Sequence, residues 1–493
     1  MIPSTLLFVT ATLTVAAQAT PPAAPGGAPK PASSATPDVV GGGASPTAGA
    51  PTTPTPSNPT ATSVPPGTSS APVPESPAAN RTLTLAQATE AALSYQPLLR
   101  QAQAQAAAAD ARADIARAPL FPQVNASASY SRQTGNFAPR PGAIPSQVAA
   151  TSTSSFRSSD FWNFGINANQ VIYDFGQARG RWHAAEATAE GQRETTRATR
   201  LTTILNVRTA YFQARAQKSL VQVSRETLAN QERHLEQIKG FVELGARPAI
   251  DLAQARTDVA NAKVQVISTE NAYATAKAQV NQAMGAPQPT DYDVADETLA
   301  PLLEEDQALD RLIQVAVAAR PELVALSKQI EAQELQVRAI KGAYGPSLGA
   351  SAGFTEAGRQ LDNMVWNWNV GVSINWPIFQ GMLVPSQVRE AEANLVAIKA
   401  QRDGTENQLR LEVEQARLAV RSNKASLAAV EEALVNSRER LRLAEGRYQT
   451  GAGSVIELAD AQIATASAAA QRVAADYNLA SARAQLMKAL GRE

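Results

Sequence analysis

Few residues in this chain could carry covalent or metal chemistry. Its 493 residues hold two histidines, His183 and His234, and no cysteine. Nothing in the sequence pairs the histidines. Disulfides, thiolate ligands, cysteine nucleophiles and a lipid carried on an N-terminal cysteine are excluded by composition. No nucleophile–base set, phosphate loop or ligand cluster is legible, so an enzyme is the least expected reading and no cofactor or metal is expected. The notable polar residues sit at two short turns. Gly245-Ala246-Arg247-Pro248 is followed by Asp251, and Tyr448 leads into Gly451-Ala452-Gly453-Ser454, followed by Glu457 and Asp460. Glycine permits the left-handed backbone of a tight helix–helix turn. Carboxylates early in a helix are favoured by its dipole, which is the plainer account of all three acids.

These two turns are copies of one another. From Trp162 to Gly285, residue i resembles residue i+206: Trp162 matches Trp368, Gly165 matches Gly371, Gly245 matches Gly451 and Gly285 matches Gly491. Upstream the offset is 224, with Pro97 matching Pro321 and Pro122 matching Pro346. The difference of 18 residues falls between Pro122 and Trp162, as expected for a loop. The chain is therefore a tandem duplication, and one unit's elements predict the other's.

Each unit opens with a helical segment, about 84–117 and 307–343, which Pro97 and Pro321 should kink or break. A period of two follows. Val124, Ala126, Ala128 and Tyr130 alternate with Asn and Ser; Leu348, Ala350, Ala352 and Phe354 alternate with small or polar residues. The partner strands are stronger. Trp162, Phe164 and Ile166 alternate with Asn163, Gly165 and Asn167, and Trp366, Trp368, Val370, Val372, Ile374 and Trp376 alternate with Asn367, Asn369, Gly371, Ser373 and Asn375. Strands are expected at about 122–133, 160–173, 346–355 and 365–379. One apolar aromatic face opposite one wet face suits a membrane barrel; a soluble sandwich would need more strands than four. Long helices follow, about 180–242 and 386–447, on the order of 95 Å each at the helical rise. Leu409, Leu411, Val413, Ala416, Leu418, Val420, Leu427 and Val430 mark an apolar face on the second, which needs lateral neighbours. After each turn a helix returns, to Met284 and to Leu490.

Four strands cannot close a barrel, and open edges in lipid leave backbone groups unpaired. Three copies would supply twelve strands in a closed ring, the simplest solution. The fold expected is mainly α with a transmembrane β-barrel: two tandem repeats (81–285 and 306–493, joined by 286–305) forming, as a homotrimer, a 12-stranded barrel plus a long α-helical barrel. An apolar start ending in Ala17-Gln18-Ala19 reads as a signal peptide over 1–19, and 20–80, rich in Pro, Ala, Ser and Thr, as a disordered linker. The charge balance, 44 basic against 44 acidic, gives no sign of a nucleic-acid partner.

The Trp-Asn-x-Gly strands leading to Tyr173-Asp174-Phe175-Gly176 and Pro377-Ile378-Phe379-Gln380-Gly381, with the paired turn motifs, resemble the TolC-type outer-membrane efflux proteins over about residues 82–491. The resemblance implies a trimeric conduit: barrel in the outer membrane among its lipids, helical barrel in the periplasm. It implies a periplasmic adaptor docking at the tip, around Gly245, Ala246, Gly451 and Ala452, and an inner-membrane pump (RND, ABC or MFS type) acting through that adaptor. It implies that Asp251, Glu457 and Asp460 line a constricted periplasmic entrance, and that Tyr448 helps latch it. In three copies these acids would form a cation-selecting mouth. A family member carries arginine where this chain has Gly453; the repeat-equivalent position holds Arg247, so the basic latch is expected to have moved to the first turn, or the gate to be looser. Trp162, Phe164, Trp366, Trp368 and Trp376 are the expected membrane-barrel aromatics. The longer hairpin loop, about 133–160, should face the exterior. Two other readings stay open: a periplasmic coiled-coil adaptor and a soluble scaffold. The cargo is not legible.

Overall fold

The computed structural model describes residues 81–134, 156–287, 289–303 and 305–493. The expected signal peptide, the linker up to residue 80 and most of the long hairpin loop lie outside them. The two repeats match element for element. The first runs α1 (Leu85–Tyr95), α2 (Pro97–Arg117), the hairpin β2 (Gln123–Thr134) and β3 (Ser158–Tyr173), α3 (Gln177–Glu243) and α4 (Ala249–Met284). The second runs α5 (Leu309–Ala319), α6 (Pro321–Lys341), β5 (Ser347–Gln360), β6 (Asn363–Asn375), α7 (Leu383–Gln449) and α8 (Val455–Ala489). The helices α3 and α7 have 67 residues each, α2 and α6 21 each, and α1 and α5 11 each.

Proline acts as expected. Gln96 and Arg320 are extended, with ψ of 120° and 118°, and each following proline starts a new helix where its missing N–H costs nothing. The strand spans differ from expectation by a few residues; β6 stops at Asn375, before Pro377, which cannot donate to a ladder. The largest omission is a two-stranded parallel sheet. Here β1 (Arg81–Leu83) pairs with β4 (Tyr292–Val294), which lies in the segment that joins the repeats. Tyr211 Oη donates to the carbonyls of Leu83 (3.2 Å) and Ala295 (3.0 Å) there, and Lys218 Nζ bonds Asp293 at 2.6 Å.

Repeat-related residues form repeat-related cores. Ala88, Ala92, Val207, Ala276, Val280 and Met284 pack together in one; Leu312, Ala316, Val413, Ala482, Leu486 and Leu490 pack together in the other. The broad apolar face expected on α7 is narrower than the sequence suggested. Leu409, Val413, Ala416 and Val420 are buried, at a spacing of three and four, while Leu411 and Leu418 are exposed.

The four long strands form one antiparallel sheet in the order β2-β3-β5-β6. The register puts Tyr130 opposite Trp162, Phe164 opposite Glu356, Ile166 opposite Phe354, and Phe354 opposite Trp368. Tyr130, Trp162, Phe164, Ile166, Phe354 and Trp368 therefore share one face, and most of the Asn, Ser and Gly alternates share the other. Trp366, Trp368, Val370, Val372 and Ile374 are each at least 63% exposed, so this apolar face has no cover among the described residues. No helix among the described residues is long and apolar enough to cross a membrane.

Candidate functional site

The two long helices end side by side, and the sequence dictates how. At the end of α3, Gly245 takes φ of +70°, its N–H reaches Val242 O (3.0 Å) and the Ala246 N–H reaches Phe241 O (2.9 Å). At the end of α7, Gly451 takes φ of +76°, its N–H reaches Tyr448 O (3.1 Å) and the Ala452 N–H reaches Arg447 O (2.9 Å). Both are glycine-terminated helix ends that satisfy the last carbonyls. No atom lies within 4 Å of where a Cβ would sit on Gly245 or Gly451, so their requirement is conformational. Ala246 and Ala452 are exposed beside them.

The turns then diverge. The Gly453 N–H also bonds Arg447 O (2.9 Å), and Ser454 Oγ caps α8 by accepting from the Glu457 N–H at 3.1 Å. A Cβ on Gly453 would lie 3.0 Å from Tyr448 N and 3.1 Å from Arg447 Cβ. A side chain at this position would need Tyr448 or Arg447 to give by a few tenths of an ångström. The first turn has Pro248 as its cap and leaves Arg247 free to point elsewhere.

Arg247 crosses to the other repeat. Its guanidinium sits 4.8 Å from the centre of the Tyr448 ring. Tyr448 is only 2% exposed, so it is no loose aromatic at a helix end. It packs with Ile238, Ala255, Ala444, Leu458 and Ala461, with His234 edge-on at 5.3 Å and Phe241 at 6.5 Å between ring centres. Its hydroxyl is buried without a hydrogen-bond partner among the described residues. Burial pushes the phenol above its ordinary pKa; Arg247 pulls it down, and Asp251 pushes it up. Arg247, Asp251 and Tyr448 are thus one electrostatic group. Glu457 belongs to a second pair: Arg447 Nη1 donates to its carboxylate at 2.9 Å. Asp460, one turn further along α8, is exposed and has no ion pair among the described residues.

His234 and Arg447 were missed from sequence. His234 has no repeat equivalent of its own type, position 440 being arginine. Its signal was the spacing His234, Ile238, Phe241, which places all three on one helix face. Among the described residues no group of three or more His, Asp or Glu could hold a metal. The aromatics Trp366, Trp368 and Trp376 lie far along the chain from the tip, on or beside β6; Trp376 Nε1 donates to Tyr344 O at 3.1 Å where the sheet meets the helices. Phe164 and Trp162 stand on the same apolar face, with the Trp162 ring 4.5 Å from Tyr130.

With this geometry in view, the chain can be set beside known proteins. It is 26% identical over 388 residues to the probable efflux pump outer membrane protein TtgC of Pseudomonas putida, covering 76% of each chain. It is 25% identical over 415 residues to the outer membrane protein TolC of Escherichia coli, covering 80% of this chain and 79% of that one. The fold matches the CmeC outer membrane channel of Campylobacter jejuni with a TM-score of 0.71 at 20% identity, over 83% of this chain and 85% of that one. The outer membrane efflux protein profile matches residues 88–286 and 312–492, both repeats nearly end to end. The chain belongs to the outer membrane efflux protein family.

Proposed function

We propose that this chain is the outer-membrane conduit of a tripartite export assembly. Three copies close a 12-stranded barrel, and their helices form a tube whose periplasmic end is gated at the turns described above. The observation that carries this reading is the sheet. It has one uncovered apolar face, one face of Asn, Ser and Gly, and β2 and β6 as edges. Edges in lipid require partners, and a closed ring of copies supplies them without leaving backbone groups unpaired. Each strand pair leads into a pair of helices about 100 Å and 50 Å long by the helical rise.

A periplasmic adaptor docks at the exposed turn around Gly245, Ala246, Gly451 and Ala452, and an inner-membrane pump drives transport through it. The TtgC relative, named as an efflux pump outer membrane protein, supports this division of labour. The conduit itself performs no chemistry. It supplies a water path, and its tip decides when that path is open.

At the tip, Arg247 clamps Tyr448 across the repeat boundary, and Arg447 holds Glu457 within the second turn. Asp251 and Asp460 add negative charge beside them. Opening separates the α3/α4 turn from the α7/α8 turn, so it must break the Arg247–Tyr448 contact. A cation–ring contact of this kind is worth about 0.5–1 kcal/mol when partly exposed. Three copies together then bias the closed state by roughly ten-fold or more. Two measurements test the reading. The native mass of the detergent-extracted outer-membrane protein, detergent subtracted, should be three chains; a monomer that stays in solution without detergent returns the scaffold reading. In planar bilayers, Arg247→Ala should raise the mean single-channel conductance; an unchanged conductance removes Arg247 from the latch.

A further inference from the structure

The wet face of the sheet breaks its pattern most sharply at one end, where two apolar residues come together; Val171, near the other end, is a lone exception. From β2 to β6 it is built of Asn, Ser, Gly, Gln and Thr, such as Asn125, Ser127, Asn167, Ser351, Thr355 and Asn369. At the end of the sheet nearest the hairpin loops, the same face instead carries Phe161 and Val365. The register fixes this placement. Phe161 lies opposite Ser131, and Val365 lies opposite Ala357, which lies opposite Asn163, all on the wet side. The repeat sharpens the point, because position 367, equivalent to Phe161, is Asn, and position 159, equivalent to Val365, is Ser. Each unit has therefore replaced a different polar residue, and the two replacements meet across β5.

They meet in a recess of about 590 Å3 lined by Phe161, Ala357, Arg359 and Val365 with Gly358 and Asn363. The recess is open to solvent and wide enough for a small solute to lie against its apolar side. Val365 is 71% exposed and Arg359 is exposed, with no hydrogen bond or ion pair to the described residues. An apolar patch on a water-facing wall gains by covering itself, and an unpaired guanidinium beside it favours an anion.

We propose that this recess is a binding subsite at the outer mouth of the conduit for amphipathic anions, solutes with an apolar body and one acidic group. Phe161 and Val365 hold the apolar body, and Arg359 pairs the acid. One such recess per copy lines the last stretch of the path. The inference rests on the conduit reading, since only a closed barrel turns the wet face into a lumen.

The test is current block in single channels held in planar bilayers. The probe is 2-naphthalenesulfonate, added on the side of the hairpin loops. Methanesulfonate supplies the anion without the apolar body, and trimethylphenylammonium supplies an apolar body with the opposite charge. Reversible block by the probe, well below the concentration at which either control acts, is expected. Exchanging each apolar residue for its repeat counterpart, Phe161→Asn with Val365→Ser, should weaken block about ten-fold. Arg359→Gln should weaken it about five-fold and narrow the gap between the probe and the cation. Native mass in detergent shows whether the variants assemble. A conducting wild-type channel that responds equally to all three solutes overturns the subsite while leaving the conduit intact. So does block that persists unchanged in both variants. A wild-type protein that never conducts overturns both.

Discussion

At the scale of single residues, four glycines end four helices with the same left-handed backbone, yet they are not equivalent. Gly245 at the tip and Gly285 at the far end of the returning helix have φ of +70° and +68°. Around Gly245 there is open space. A Cβ on Gly285 would stand 2.7 Å from Gln96 Cα, 2.9 Å from Pro97 Cδ and 3.0 Å from Tyr95 O. Its repeat partner Gly491 is pressed in the same way against Ala319, at 2.9 Å from its carbonyl oxygen. So each helix break created by proline is seated against a glycine from the end of its own repeat. Gly245→Ala should cost only the left-handed penalty, about 1–2 kcal/mol. Gly285→Ala should add the overpacking cost, about 1–3 kcal/mol more. Thermal unfolding of the two variants separates these, and equal losses would show that the seat at Gly285 yields freely. His234 gives a second prediction. Burial lowers its pKa, with Gln237 and Asp258 pulling the other way. The unfolded chain then binds the proton more readily than the folded tip. Stability is therefore full above the ordinary histidine value of about 6.5 and falls as pH drops through the folded value. Hydrogen exchange of residues around 234–246, corrected for intrinsic rates, should show protection lost between pH 7 and 5. In His234→Phe that loss should vanish; the same slope in both proteins would assign it to another group.

Elements show how much of this molecule was legible beforehand. The period-two strands, the proline breaks, the long helices and the returning helices all follow from local patterns that need no tertiary knowledge. What sequence could not give is pairing between distant segments. The β1–β4 sheet joins two three-residue strands more than two hundred positions apart, each too short to show a period. Leu411 and Leu418 look like core residues by type and turn outward because α7 packs along one narrow seam. At the tip, glycine positions were readable from the repeat, but the contact of Arg247 with Tyr448 depends on two helix ends meeting. The sheet carries the sharpest prediction at this scale. Its two faces should differ in tolerance although their residues alternate along one strand. Val370→Arg, on the exposed apolar face, should cost about 2–4 kcal/mol near the bilayer midplane. Asn369→Arg, the preceding residue on the wet face, should cost far less. Folding yield into lipid vesicles measures both, and similar yields would mean that neither face meets lipid.

For the whole molecule, the edges of the sheet decide the assembly. Strands lie about 4.8 Å apart, so β2 and β6, three spacings from each other, are separated by roughly 14 Å across the sheet. That is beyond the reach of a disulfide, whose Cα atoms stand at most about 7 Å apart. Asn125 and Asn369 lie on the wet face at one level: Asn125 opposite Asn167, Asn167 opposite Gly353, and Gly353 opposite Asn369. The chain contains no cysteine, so introduced thiols have no competitors. In a ring of copies β2 of one chain meets β6 of the next. Asn125→Cys combined with Asn369→Cys, or with Gly371→Cys to allow for a register shift, should crosslink between chains on mild oxidation. The products in denaturing gels should end at three chains, with full closure giving a species that no further oxidation enlarges. A ladder ending at two chains would call for an eight-stranded barrel, whose interior side chains normally fill, leaving no water path. A ladder that continues past three would mean an open, non-closing contact. Either result removes the conduit. A ladder ending at three ties both edges of the sheet, the one feature a single chain cannot satisfy alone, to the closed ring that makes its Asn-, Ser- and Gly-lined face a lumen.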